Sequence, residues 1–268
     1  MSLVKMNLCD RHYSIPAYFG FGINSRNLVL GDISSLKSNE GTIKQHMVNV
    51  NIGGSFQYKL AKKEKSSYFS IALGIEFNIN FISFASDSMM QTLNGVDPDN
   101  EQYLRKIKVK NYSESDRFLF LNIPLTLKYN LKINRSVMLG FGITPALALK
   151  LTESSERSGT FSQSGYYEKY GWLYNSTRLG FAQNVYVVDN TKIGISGGSF
   201  LIRGQADISF NLFKRAKGML GLNYNLSFMK ATQNPVVVSN DFKTINSPLV
   251  QKDHFTLGYF GAILGLKF

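Results

Sequence analysis

The sequence predicts an all-β chain, an eight-stranded antiparallel up-and-down transmembrane β-barrel. Three observations carry that expectation. Bulky apolar residues recur at every second position over runs of a dozen or more residues, roughly twice the length of a strand in a soluble sheet. A tilted strand of about 9–11 residues crosses a bilayer core, so each run is long enough to span. The connections between runs alternate long and short, as in outer-membrane barrels with short periplasmic turns and longer external loops.

The clearest pair is the hairpin from Arg117 to Leu151. Leu119, Leu121, Ile123, Leu125, Leu127, Tyr129 and Leu131 share one parity, and after the turn Lys132 to Arg135 the rhythm resumes as Val137, Leu139, Phe141, Ile143 and Leu147. The opposite parity carries Asn122, Thr126, Lys128, Gly140, Gly142, Thr144 and Lys150, together with Phe118 and Phe120. Strand one is expected from Ile15 to Leu28, strand two from Gln45 to Leu60 and strand three from Ser67 to Ser83. The hairpin supplies strands four and five. Strand six is expected from Leu201 to Phe213, seven from Met219 to Lys230 and eight from Asp253 to Phe268. Polar loops are expected over Val29 to Lys44, Phe84 to Asp116 and Ala231 to Lys252. The longest connection, Thr152 to Phe200, holds the single tryptophan, and its stretch Leu179 to Val188 is a candidate to extend neighbouring strands above a membrane. Residues 1–14 read as an N-terminal periplasmic segment and 15–268 as the barrel.

Volume decides which face is inside. An eight-stranded interior is only just wide enough to be filled by side chains. Dozens of Leu, Ile and Phe would overfill it, whereas the Gly, Ala, Ser, Asn and Thr parity fits. The large residues are therefore expected to face lipid, which leaves a soluble lipocalin-like lipid-binding barrel as the fallback. Tyr58, Phe69, Tyr129, Phe210 and Phe268 then fall near the turn side as an aromatic girdle. The inward parity includes Glu76, Lys128, Lys150, Arg203 and Asp207. Charges in a narrow lumen are costly unless paired, so these five are expected to form an ionic and polar plug, with Glu76 meeting Lys128 or Arg203.

The net charge of +12 does not point to nucleic acid. The segments Lys59 to Lys65, Lys132 to Arg135 and Lys214 to Lys217 contribute +3, +2 and +3. A nucleic-acid groove interleaves basic and aromatic residues on one face, whereas these charges cluster where strands reverse. Cys9 is the only cysteine, so no intramolecular disulfide is possible. The start, MSLVKMNLCDRHYS, lacks the apolar core of a signal peptide, so an exported chain implies a signal already removed or a truncated start. His46 and His254 fall near the expected outer rim, with Ser247 and Asp253 close to the latter. That is the material of a rim Ser–His acyl hydrolase, but no G-x-S-x-G nucleophile motif accompanies it, and no HExxH, CxxC or P-loop is present. The expectation is a non-enzyme with no metal and no cofactor.

The stretch LNIPLTLKYNL, a short turn and VMLGFGITPALAL resembles the strand pair of the PorT-like outer-membrane β-barrel proteins of the Bacteroidota. The terminal LGYFGAILGLKF, ending on Phe268, looks like the C-terminal strand signal read by the barrel-assembly machinery. The resemblance implies a barrel and no shared catalytic residues, and the family's namesake acts in protein secretion. The expected protein is a monomer in the bacterial outer membrane, surrounded by its lipid. It displays four long external loops for binding, adhesion or envelope integrity. The alternatives are a secretion-system component and a narrow pore.

Overall fold

The computed structural model describes residues 13–29, 44–60, 66–181, 183–190, 192–213, 216–230 and 254–268. Cys9, His12, Ser247, Asp253, the stretches 30–43 and 231–252 that the sequence led one to expect as loops, and Lys62, Lys63, Lys65, Lys214 and Arg215 lie outside them. The strands are β1 (Tyr13–Ser14), β2 (Pro16–Val29), β3 (Lys44–Lys59), β4 (Ser67–Val96), β5 (Gln102–Lys132), β6 (Val137–Tyr167), β7 (Trp172–Tyr174), β8 (Val185–Asp189), β9 (Gly198–Phe213), β10 (Ala216–Lys230) and β11 (His254–Lys267). No helix among the described residues is long and apolar enough to cross a membrane.

Eight strands close a ring in the order β2, β3, β4, β5, β6, β9, β10, β11 and back to β2, each antiparallel to its neighbours. The seam joins the last strand to the first, with Ala262 opposite Phe21. The Ile15 and Phe268 backbones exchange N–H to O hydrogen bonds of 3.1 Å at its lower end. Both ends of the ring chain therefore lie on the side of the β5–β6 turn, as an even strand count requires.

The period-two pattern sets which way each side chain points. Phe19, Phe21, Ile52, Phe56, Phe69, Leu73, Ile75, Phe77, Leu125, Phe141, Leu147, Leu220, Leu222, Phe260 and Leu264 all point outward and are exposed. A continuous belt of this kind has no stable place in water, where burial contributes about 25 cal/mol per Å² of apolar area. On β4 the belt runs from Phe69 to Phe81. Twelve rises of about 3.4 Å, tilted by about 40°, give a height of roughly 30 Å, which matches a bilayer core. Inside, the small residues make room for polar neighbours. A Cβ on Gly140 would sit 2.1 Å from Lys128 Cε and 3.0 Å from Asp207 Oδ1, so any larger residue would have to displace that pair.

Above the belt the strands continue much further than the sequence pattern suggested. The expected loop from Phe84 to Asp116 is paired strand on both sides of a tight turn at residues 97–101. Asp97 caps this turn, its Oδ1 accepting from the backbone N–H of Asp99 and Glu101. Likewise β6 runs on to Tyr167 within what was expected as connection. The β4–β5–β6 extension forms a three-stranded blade standing clear of the membrane. β7 and β8 pair along the free edge of β6, with Gly159 opposite Val187. The second of the four expected long loops is thus a hairpin with a short turn, and the long–short alternation fails there.

Two irregularities re-aim the side chains of the blade. Pairing of β5 with β6 shifts between Lys110 and Ser113, at Asn111, whose φ of 51° is left-handed. It shifts again between Leu119 and Phe120, where β6 carries an extra residue near Leu151. Each bulge flips the parity of the strand beyond it. On β6 the inward residues change from even (Ala146, Ala148) to odd (Glu153, Ser155, Arg157).

Candidate functional site

The barrel interior is built in layers. In the lower half Lys128 Nζ lies 2.7 Å from Asp207 Oδ1 and 2.6 Å from Oδ2, with both side chains buried. At mid-height the Arg203 guanidinium donates to Glu76 Oε1 at 2.7 Å. Glu76 is 0% and Arg203 2% exposed. Tyr18 donates to Glu76 Oε2 at 2.9 Å, Asn122 to Oε1 at 2.9 Å, and Arg203 Nε donates to Asn225 at 2.6 Å. Five residues from five strands thus close one network around a buried ion pair, the arrangement a low-dielectric interior demands. An asparagine ladder sits next to it. Asn49 donates to Asn78 at 2.9 Å and to Asn80 at 2.7 Å, and Asn78 donates to the Tyr259 hydroxyl at 3.2 Å. Further up, Met47, Ile82, Phe84, Phe118, Phe120, Met229 and Leu257 form an apolar layer across the lumen.

The residues singled out in the sequence are therefore placed as follows. Glu76 meets Arg203 and Lys128 meets Asp207. Lys150 stands apart at the upper rim, where its ammonium lies 2.5 Å from Glu153 Oε2 and also donates to the Ile195 carbonyl. No hydrogen bond or ion pair joins it to the other four. Glu153 in turn accepts from the backbone N–H of Gly194 at 2.7 Å and Ile195 at 3.2 Å, which pins the segment leading into β9 against β6. Of the aromatic set, Tyr58, Phe69, Tyr129 and Phe268 are exposed, while Phe210 is half-buried. Phe69 and Tyr129 face each other across β4 and β5 with ring centroids 5.1 Å apart.

A second buried polar cluster, which the sequence reading missed, lies in the blade. Arg157 Nε is 3.1 Å from Glu114 Oε1, and its Nη1 is 3.5 Å from Asp189 on β8. The Tyr112 hydroxyl donates to Glu114 Oε2 at 2.6 Å. Asp116 is 1% exposed, and neither of its carboxylate oxygens has a hydrogen-bond partner. Burial, and after it the neighbouring Glu114 carboxylate, hold Asp116 far above the ordinary carboxylate range, at about 9. Its folded carboxyl keeps the proton while the unfolded one ionises near pH 4, so the native state binds more protons in between. The contribution of Asp116 to blade stability is then full below about pH 4 and falls as pH rises towards 9, by up to about 1.4 kcal/mol per pH unit. Amide exchange of β5 and β6 above the belt, followed against pH, is expected to show this fall and to lose it in Asp116→Asn. An unchanged slope in that variant would assign the pH effect elsewhere.

The blade also presents a distinctive outer face. Lys106, Lys108 and Lys110 lie opposite Ser164, Ser162 and Thr160 on β6, while Ile107 and Val109 between them are buried on the other side. Successive lysines are about 6.8 Å apart along the strand. The Lys106 ammonium lies 4.5 Å from the Tyr166 ring centroid. Towards the tip, Tyr170 stacks on Trp172 at 4.9 Å. Trp172 is 55% and Tyr186 67% exposed. Among the described residues no group of three or more His, Cys, Asp or Glu is placed to hold a metal ion. Of the residues considered for a rim hydrolase, His46 is exposed on β3, and Ser247 and Asp253 lie outside the described residues.

No protein-family model matches the sequence, and no curated protein does. Several solved structures are similar along nearly their whole length. Ail, the attachment invasion locus protein of Yersinia pestis, solved in complex with the heparin analogue sucrose octasulfate, shares 9% identity over 96% of this chain and 97% of its own, with a TM-score of 0.22. The outer membrane channel DcaP of Acinetobacter baumannii shares 7% over 96% of each chain, with a TM-score of 0.17. A Pseudomonas aeruginosa FadL homologue shares 10% over 95% of this chain and 89% of its own, with a TM-score of 0.15. Ring closure, strand count and the lipid-facing belt make this chain an eight-stranded β-barrel of the outer-membrane type.

Proposed function

We propose that the chain is a non-enzymatic protein of the bacterial outer membrane that attaches to an anionic partner outside the cell. The barrel is its anchor and the β4–β5–β6 blade its binding element. The observation that carries this reading is the row Lys106, Lys108 and Lys110 beside Ser162, Ser164, Tyr166 and Thr160, held on paired strands rather than on a loop. A rigid row of ammonium groups at strand spacing, flanked by hydroxyls and open aromatic rings, suits a chain polymer bearing repeated sulfate, phosphate or carboxylate groups. The layered lumen supports the anchor role. An ion-pair network, an asparagine ladder and an apolar layer succeed one another across it, so a pore is the weaker reading.

The resemblance of the β5–β6 hairpin to PorT-like barrels supports a place in that broad group, with a part in secretion as the alternative. The strand ending at Phe268 supports insertion by the barrel-assembly machinery, and the closed ring supports a monomer. The test is binding of dextran sulfate, with uncharged dextran as control, to the protein in detergent micelles. Changing Lys106, Lys108 and Lys110 together to Gln is expected to weaken binding at least tenfold and to flatten its dependence on salt. Equal binding by the triple variant, or equal binding of uncharged dextran, would overturn the proposal.

A further inference from the structure

The lower lumen holds one more buried cation than it holds carboxylates. Among the described residues there, Glu76 is taken by Arg203 and Asp207 by Lys128. Lys267, at the end of β11, is 8% exposed and among the described residues forms no ion pair within 4 Å and no side-chain hydrogen bond, Asp207 acting on it only from longer range. Its position is made worse by its neighbour, because Lys217 stands directly opposite it across the β10–β11 ladder. Like charges facing each other across a strand pair are destabilising, and a lysine this enclosed with no close counter-charge adds to that cost.

Lys267 lines a cavity of about 50 Å³. One water needs some 10–15 Å³ by this measure, so the space takes a few waters or one compact polyatomic ion. Ser55, Thr126, Lys128 and Gln205 share its wall, and no carboxylate lines it. The Gln205 amide makes no other hydrogen bond among the described residues.

We propose that this cavity binds a small inorganic oxyanion of phosphate size. The Lys267 ammonium supplies the charge, and Gln205 supplies the amide donor. Ser55 lines the same space and can offer a hydroxyl donor, and Thr126 can do so when Thr144 is the donor in the 2.9 Å bond between their hydroxyls. The ion completes the charge balance of the lumen on its turn side. The site is independent of the blade, so its failure leaves the surface-binding reading untouched, and the reverse also holds.

The experiment is thermal unfolding of the full chain folded in detergent micelles, titrated with potassium phosphate and, at matched ionic strength, with potassium chloride. The midpoint of the wild-type protein is expected to climb with the logarithm of phosphate concentration and to stay nearly level in chloride. Lys267→Met is expected to start at a higher midpoint without phosphate and to lose the climb, while Arg178→Gln, an exposed cation outside the lumen and outside the blade's lysine row, keeps it. Chloride acting as well as phosphate would show general screening and overturn the site, as would an undiminished climb in Lys267→Met. Should that variant fail to fold, phosphorus NMR on the variant with Lys106, Lys108 and Lys110 changed to Gln, which keeps the lumen and lacks the blade's lysine row, decides. Broadening of the phosphate line that sulfate competes away supports the site, and an unbroadened line overturns it.

Discussion

Replacing Arg203 with Met is expected to cost about 3–5 kcal/mol of barrel stability, because it strands a buried carboxylate. Glu76 is fully enclosed and accepts from Arg203, Tyr18 and Asn122. Removing the guanidinium leaves two neutral donors on a charge that no solvent reaches. The single change Glu76→Gln is milder, since Arg203 keeps its bond to Asn225 and an amide oxygen replaces the carboxylate. The double change Glu76→Leu with Arg203→Met is expected to recover most of the loss, as apolar replacement of a buried pair commonly does. Urea titration of the protein folded into lipid vesicles measures all three. A loss below about 1 kcal/mol for Arg203→Met would mean that water already reaches the pair, by the ordinary worth of an exposed bridge.

The second large effect lies on the other side of the same wall. Ile75 is 60% exposed, next in sequence to Glu76, and midway along the β4 belt. Ile75→Arg is expected to cost about 2–4 kcal/mol, the depth-dependent charge for a cation at the bilayer midplane. Ser113 faces outward on β5 above the belt, and Ser113→Arg is expected to cost less than about 1 kcal/mol. The pair is best read in the same vesicle assay. Equal costs at the two positions would place the membrane boundary elsewhere, and no cost at Ile75 would remove the belt from the bilayer altogether.

How much of this was legible in the sequence depends on whether lipid was doing the selecting. Where the wall faces hydrocarbon, only large apolar residues are tolerated outside, and the alternation of Leu121 to Leu131 is unmistakable. Above the membrane both faces tolerate polar groups. Strands there read as loops, and Phe84 to Asp116 is such a stretch. A weak signal was present all the same: Lys106, Lys108 and Lys110 alternate with Ile107 and Val109. The blade cluster was harder to find. Glu114 and Asp116 share the inward parity, but their partner Arg157 sits beyond the bulge near Leu151, where odd residues turn inward. A parity count carried straight through would aim Glu153 and Arg157 at solvent. The apolar layer was missed for a related reason. Phe118 and Phe120 belong to the inward set, and the volume argument that made room for glycine elsewhere gave no warning of two large rings at the top of the lumen.

The seam between β11 and β2 has a consequence for how the molecule comes into being. Its partners are separated by nearly the whole chain, with Leu266 opposite Ala17. Bringing them together is the most non-local step in the fold, and such steps are slow because ordering entropy is lost before contacts repay it. Until it occurs, β2 offers a bare edge of N–H and C=O groups, and the greasy outer face has no hydrocarbon to meet. Synthesis alone therefore leaves a sticky, open ribbon. Before closure, that edge and the apolar outer face are the surfaces through which one ribbon would pair with another.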